Sequence, residues 1–241
     1  MTGTELTGEE RRSELAANLA EVRARIDAAC AEAGRSPETV KLIAVTKTFP
    51  AGDVMSLAGL GITDIGENRD QEAAAKAVAL REAGIDVRWH YIGRLQRNKA
   101  KSVAAYAHMV HSVDRPALVT ALADAASRVR ETPLGCLIQV SVDGDTSRGG
   151  VAEKDLPALV DSVTSRSELA LRGIMAVAPL GWAPERAFEQ VAALSEKVRG
   201  AVPDAREISA GMSGDFTRAI GFGATLVRIG SILLGSRSHL R

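Results

Sequence analysis

The stretch Val40-Lys41-Leu42-Ile43-Ala44-Val45-Thr46-Lys47-Thr48-Phe49-Pro50 decides the fold. Its first seven residues, Lys41 apart, are apolar or β-branched, as expected of a strand covered on both faces. The run then breaks at Lys47 and Pro50, and the turn between them contains no glycine. A doubly wound nucleotide-binding sheet places a G-x-G-x-x-G turn after its first strand. That architecture is therefore disfavoured.

Seven further runs of this kind follow, at Ile62–Ile65, Val87–Ile92, Met109–Val113, Leu134–Val142, Leu169–Ala176, Arg206–Ser209 and Thr225–Ile229. Alanine-rich, charged segments with helical spacing separate them. Examples are Asn68–Ala83, Asp114–Arg130 with Leu118, Leu122 and Val129, and Pro184–Arg199 with Phe188, Val191, Leu194 and Val198. Strands alternating with helices imply right-handed crossovers and a parallel sheet. Eight such units in about 200 residues approach the roughly 250 typical of a closed (β/α)8 barrel. The expected class is α/β, a single TIM barrel. Upstream, Thr7-Gly8-Glu9-Glu10 offers a capping box. Leu15, Leu19, Val22 and Ile26 then line one face of an extra N-terminal helix at 9–33, stopped by Gly34 and Pro37. Residues 1–8 are expected to be a flexible N-terminus and 9–241 one domain.

Composition narrows the function. Hydrophobic residues make up 46% and charged residues 25% of the 241, as in soluble globular proteins. Thirty basic side chains balance thirty acidic ones, and only two Trp, two Tyr and four Phe are present. A nucleic-acid partner would call for a basic field and stacking surfaces. No apolar run approaches the roughly 18 residues of a membrane span, and MTGTELTGEERR does not read as a secretory signal. Cys30 and Cys136 are isolated, and His90 has no ligand partner at metal spacing. Neither nucleic acid, membrane nor metal is expected, and the location expected is cytoplasmic.

In a barrel the C-terminal strand ends converge on one mouth, where function resides. Read in order, those ends supply Lys47, then Gly66-Glu67-Asn68, Trp89-His90-Tyr91-Ile92-Gly93, Ser112 and Asp114, Met175, Ser209 to Ser213, and Arg228, Gly230 and Ser231. An inward lysine at the position of Lys47 is desolvated, which favours the neutral, nucleophilic amine that condenses with aldehydes. The other reading is a lysine snorkelling into solvent. Ser209-Ala210-Gly211-Met212-Ser213-Gly214-Asp215 and Arg228-Ile229-Gly230-Ser231 follow the last two strands and lead into short helices. Such paired loops are a recurrent phosphate seat in barrels; ordinary Gly/Ser turn chemistry is the alternative. An amine and a phosphate seat together suit a phosphorylated aldehyde, of which pyridoxal 5′-phosphate (PLP) is the obvious one. Arg228 would then face the pyridine nitrogen. An arginine there favours the unprotonated ring and weakens carbanion stabilisation.

These blocks resemble the YggS/PROSC family of pyridoxal-phosphate-binding proteins, also called PLP homeostasis proteins. The resemblance spans nearly the whole chain through Ala44-Val45-Thr46-Lys47, Gly66-Glu67-Asn68, Trp89-His90-Tyr91-Ile92-Gly93-Arg94-Leu95-Gln96-Arg97-Asn98-Lys99, Gly173-Ile174-Met175-Ala176, Gly211-Met212-Ser213-Gly214-Asp215 and Val227-Arg228-Ile229-Gly230. It implies a fold like the barrel domain of alanine racemase. It also implies a Schiff base on Lys47, Asn68 and His90 along the cofactor's flank, and Ser213, Gly230 and Ser231 on its phosphate with Met212 beside them. Arg228 would face the ring nitrogen. The segment 139–150 departs from the family, with Arg148 where many members carry lysine, and it is assigned no cofactor contact.

Alanine racemase adds a second domain whose tyrosine supplies another proton-transfer group. Here the chain ends ten residues after Ser231, and the expectation is of no such domain. The function expected is therefore intracellular PLP binding, buffering and delivery to apo-PLP enzymes by a monomer, with no catalytic residue assigned. The rival is a small PLP-dependent amino-acid racemase or lyase, with His90 or a bound water moving protons. A third reading is an interaction module using Arg94, Arg97, Lys99 and Lys101, a cluster equally expected of a solvated helix face.

Overall fold

Each apolar run becomes a strand in the computed structural model, which describes residues 7–235. The strands are β1 (Lys41–Val45), β2 (Asp64–Glu67), β3 (Arg88–Tyr91), β4 (Ala107–Val113), β5 (Leu134–Ser141), β6 (Val151–Ala152), β7 (Leu169–Met175), β8 (Glu207–Met212) and β9 (Leu226–Ile229). Eight of them close into a parallel barrel in the order β1-β2-β3-β4-β5-β7-β8-β9, with β9 returning to β1. The expected eight-stranded TIM barrel is the observed fold. β6 is an addition: a two-residue spur paired only with the end of β5, too short for periodicity to reveal.

Helices α1 (Gly8–Glu32), α2 (Ala51–Gly59), α3 (Asp70–Glu82), α4 (Ala100–Tyr106), α5 (Pro116–Val129), α6 (Leu156–Thr164), α7 (Pro184–Ala201), α8 (Phe216–Gly221) and α9 (Ser231–Leu234) surround the barrel. The capping box opens α1: Thr7 accepts from the Glu10 amide while the Glu10 carboxylate accepts from the Thr7 amide. Of the N-terminal segment 1–8, residues 1–6 lie outside the described residues. Leu15, Leu19, Val22 and Ile26 are buried, and a fully buried aliphatic side chain contributes about 1.5–3 kcal/mol. The polar residues of α1 do a second job. Arg11 pairs with Asp53 at 2.7 Å and donates to the Leu234 carbonyl at 2.9 Å, and Asn18 donates to the Leu233 carbonyl at 3.0 Å. These carbonyls end α9 and have no helical partner of their own. The N-terminal helix therefore fixes the loop after β9 from outside the barrel. No described helix is long and apolar enough to cross a membrane.

The core has two parts. A large apolar layer, including Leu57, Leu80, Leu118, Phe188 and Phe216, lies between barrel and helices. A separate cluster joins Ile43, Met109, Leu137, Met175 and Leu226. These come from β1, β4, β5, β7 and β9, and β1 and β5 stand on opposite sides of the ring, so the cluster fills the barrel interior. Asp64, His90, His111, Ser209 and Arg228, also buried, form the interior's polar part.

Close strand packing makes one glycine indispensable. Gly173 on β7 has φ +148°, and a Cβ there would sit 1.9 Å from the Glu207 carbonyl oxygen on β8. Gly173→Ala is expected to cost about 3 kcal/mol or more. Urea denaturation should show a lower midpoint at unchanged slope; a wild-type midpoint would contradict this packing.

Candidate functional site

β1 ends at Val45, and Thr46-Lys47-Thr48 turn the chain toward α2. Lys47 is half-buried, and its ammonium makes no hydrogen bond or ion pair among the described residues. The turn that carries it is tightly held. Buried Lys76 donates to the Thr46 carbonyl at 2.8 Å and to Glu67 Oε1 at 2.6 Å, and the Thr46 hydroxyl donates to the same oxygen at 2.6 Å. Thr48 sits at φ +70°, which a β-branched residue avoids at a cost of about 1–3 kcal/mol. Its amide donates to Glu72 Oε2 at 3.1 Å. Burial alone would raise the Glu72 pKa, but the Thr48 amide and Arg69 outweigh it and hold the carboxyl below its usual range. Glu67, Lys76 and Glu72 thus fix the direction in which Lys47 leaves the strand.

The barrel order sets the glycine-serine loops beside this turn. β9 is the neighbour of β1, with Ala44 opposite Ile229, and β8 is the neighbour of β9. The Gly230 amide donates to Ser213 Oγ at 3.4 Å, joining the two loops at one point. The Met212 amide donates to Asp215 Oδ1 at 2.6 Å, and the Asp215 amide donates back to the Met212 carbonyl at 3.1 Å. Met212 itself is exposed at the rim. Ser231 opens α9, where first-turn amides have no acceptor within a helix.

Arg228 is 4% exposed. Its Nη1 donates to the Ser209 carbonyl at 2.7 Å and to Ser209 Oγ at 2.6 Å, and Nη2 donates to the Ala176 carbonyl at 2.8 Å. Burial pushes its pKa down to about 10 against the opposing charge of Asp215. Its Nε–H has no acceptor among the described residues. His90 differs from the simplest expectation. Its Nε2 meets Asp64 Oδ1 at 2.8 Å and its Nδ1 meets His111 Nε2 at 2.9 Å, so neither ring nitrogen is free. Any contact of His90 with a ligand is through carbon. Asn68 Oδ1 and Ser112 Oγ are buried without a partner, the condition of polar atoms that await a ligand or water.

Glu67, Lys76, Thr48, Asp64, His111 and Ser209 carry roles that motif reading did not assign. One signal was present for Lys76, which shares a helical stripe with Ala73, Ala77 and Leu80, all buried. A lysine on a core-facing stripe needs a partner. The Arg148 loop turns inward on itself, since Arg148 pairs with both Asp143 and Asp145. Cys30 and Cys136 are buried free thiols. Among the described residues no three His, Cys, Asp or Glu side chains gather to hold a metal.

Two predictions follow from this geometry. Lys76→Met leaves the Glu67 carboxylate buried and uncompensated, and is expected to destabilise by about 3–5 kcal/mol. The double variant Glu67→Gln/Lys76→Met should recover part of that loss; simple additivity in chemical denaturation would contradict the pairing. The second concerns pH. Burial holds His111 well below the usual histidine pKa, with His90, Arg228 and His108 adding to the effect and Asp64 opposing it. Unfolded His111 titrates near 6.5, so the unfolded state takes up the proton first. Its stabilising contribution is complete above about pH 6.5 and declines on acidification, by up to about 1.4 kcal/mol per pH unit. Asp64 is also held low, because Arg88, His90 and Thr63 outweigh the opposing effect of burial. It adds a second loss below about pH 4. Urea midpoints between pH 8 and 4 test this, and a flat profile from pH 8 to 5 would contradict it.

The chain matches known proteins along most of its length. Residues 14–238 match the family model of the alanine racemase N-terminal domain. A Mycobacterium leprae protein named pyridoxal phosphate homeostasis protein is 44% identical over 96% of each chain. The structure of PipY from Synechococcus elongatus with PLP bound has a TM-score of 0.80 at 32% identity, covering 92% of this chain and all of that one. Alanine racemase from Corynebacterium glutamicum shares the fold at 16% identity and a TM-score of 0.67, over 94% of this chain and 61% of that one. The chain belongs to the alanine racemase N-terminal domain family, among the pyridoxal phosphate homeostasis proteins.

Proposed function

We propose that this protein binds PLP at the mouth of the barrel and acts in PLP homeostasis as a carrier. The observation that supports this best is the pairing of one half-buried, unpartnered amine, Lys47, with the joined Ser213–Gly230 loops on the neighbouring strands. The donor set suits the cofactor. Lys47 would hold the cofactor through its amine, condensing reversibly with the aldehyde carbon and releasing water. Ser213, the Gly230 loop and the first-turn amides of Ser231 and Ile232 hold the phosphate. Asn68, whose Oδ1 is unpartnered, would face the cofactor's flank, and the Arg228 Nε–H would serve the ring nitrogen. PLP bound in this way supplies an electrophilic carbon and an electron-withdrawing ring. The lone arginine at that nitrogen limits the second property.

The carrier reading is favoured over a racemase or lyase by how the acid–base candidates are used. His90 spends both nitrogens inside the barrel. Tyr91 donates to the Asn68 carbonyl at 3.4 Å, and burial first, with Asp70 next, raises the pKa of Tyr106 far above its usual value. None of the three stands ready to exchange a proton with a substrate carbon at the required distance of about 3 Å. Reversible linkage at an open rim suits storage of a reactive aldehyde and its release to apo-PLP enzymes.

The test is visible absorption of the purified protein with added PLP, before and after borohydride. A reducible Schiff-base band is expected, absent in Lys47→Ala. Ser213→Asp sets an anion against the phosphate and should weaken retention at least about tenfold. An unchanged band in Lys47→Ala would overturn the assignment, and steady amino-acid turnover lost in that variant would favour the enzyme.

A further inference from the structure

A chain of five buried side chains crosses the barrel interior beneath the mouth. It runs from Asp64 on β2 to His90 on β3, 2.8 Å, and on to His111 on β4, 2.9 Å. It then crosses to Ser209 on β8, where His111 Nδ1 meets Oγ at 2.9 Å, and ends at Arg228 Nη1 on β9, 2.6 Å from Oγ. His111 and Ser209 have no exposed surface. β4 and β8 are not adjacent in the ring, so this link is not a by-product of strand pairing.

Proton counting gives the chain a direction. The Asp64 carboxylate already accepts from Arg88 at 2.6 and 2.8 Å and from Thr63 at 2.9 Å, so it accepts from His90 Nε2–H as well. At the other end an arginine only donates, so Ser209 Oγ accepts from Arg228. One proton per link then completes the series: Ser209 donates to His111 Nδ1, and His111 Nε2–H donates to His90 Nδ1. With both imidazoles as neutral Nε2–H tautomers, every imidazole nitrogen and the Ser209 hydroxyl of the series finds a partner. A proton added to either histidine changes this. His111 Nδ1 becomes a donor, and Ser209 Oγ must then accept from His111 and Arg228 together, with its own hydrogen unplaced. The charged or titratable neighbours facing the pair are Asp64 on β2, Arg88 on β3, His108 on β4 and Arg228 on β9, with Asp215 beyond Arg228.

We infer that Asp64, His111 and Ser209 are positioning residues for Arg228. Through this one-way chain they hold its guanidinium so that the free Nε–H points at the ring nitrogen of the bound cofactor. The neutral histidine pair keeps a second positive charge away from that contact. The role rests on the PLP reading above, while the chain itself does not.

The experiment has two arms. In the first, histidine-labelled protein without PLP is examined by nitrogen–proton NMR at pH 7.5. His90 and His111 are expected as neutral Nε2–H tautomers; an imidazolium or an Nδ1–H tautomer at either would overturn the chain. In the second, free PLP is titrated into wild type, Ser209→Ala, Ser209→Thr and Asp64→Asn while the visible band is followed from pH 6 to 9. Ser209→Ala and Asp64→Asn are expected to weaken PLP about tenfold and to shift the band's pH midpoint. Ser209→Thr keeps a hydroxyl and should restore both. Thermal unfolding identifies a variant that fails to fold, and the other then decides the outcome. Unaltered affinity and pH profile in a folded variant would overturn the positioning role. Absence of any reducible band in wild type, with the tautomers as expected, would instead sink the cofactor reading and with it the task assigned to Arg228.

Discussion

Closing eight parallel strands into a ring turns every second side chain into a space that bulk water does not fill, and any polar group placed there must find a partner. One part of this interior meets that demand with Ile43, Met109, Leu137, Met175 and Leu226. The other part carries Arg228, a cation that no carboxylate among the described residues touches. Two carbonyls and the Ser209 hydroxyl receive it, and the histidine pair passes the hydrogen bonding on to Asp64. Below the mouth the polar atoms are largely consumed. At the mouth the Lys47 amine, Asn68 Oδ1 and Arg228 Nε–H remain unspent. That contrast, more than any single motif, supports the mouth as the proposed ligand site.

The same accounting explains why the site is better suited to holding than to turning over. A racemase or lyase needs a ring that draws in electrons and a free acid–base group near the reacting carbon. In the proposed binding mode the ring's partner would be Arg228, and His90 is committed to Asp64 and His111. What the fold supplies instead is a rigid frame. Lys76 and Glu67 grip the turn before Lys47, Glu72 pins the strained Thr48, and Arg11 and Asn18 of α1 grip the far end of α9. The elements flanking the linkage and phosphate positions are thus braced from outside the mouth, which leaves the rim accessible for loading and release.

Much of this was legible in the sequence because it depends on local pattern. The apolar runs located the eight barrel strands, the capping box located α1, and the glycine-serine loops read after the last two strands do meet, at Ser213 and Gly230. The spur at Val151–Ala152 escaped because two residues have no period. Contacts made across the ring escaped for a related reason. Nothing near Asp64 in sequence announces His90 on the paired neighbouring strand, and nothing near His111 announces Ser209, which only closure of the ring brings opposite β4. The positive φ of Thr48 was equally hidden, since threonine is among the residues least suited to it. Lys76 was missed too, although its place on an alanine-rich helical stripe was a usable signal.

The account stands on Lys47 as the point of covalent attachment. The most direct measurement is peptide mapping by mass spectrometry of wild-type protein loaded with PLP, reduced with borohydride and digested. A single phosphopyridoxyl adduct on the peptide containing Lys47 is the predicted result. An adduct centred on Lys76 or on surface lysines such as Lys99 and Lys101, with Lys47 unmodified, would contradict it.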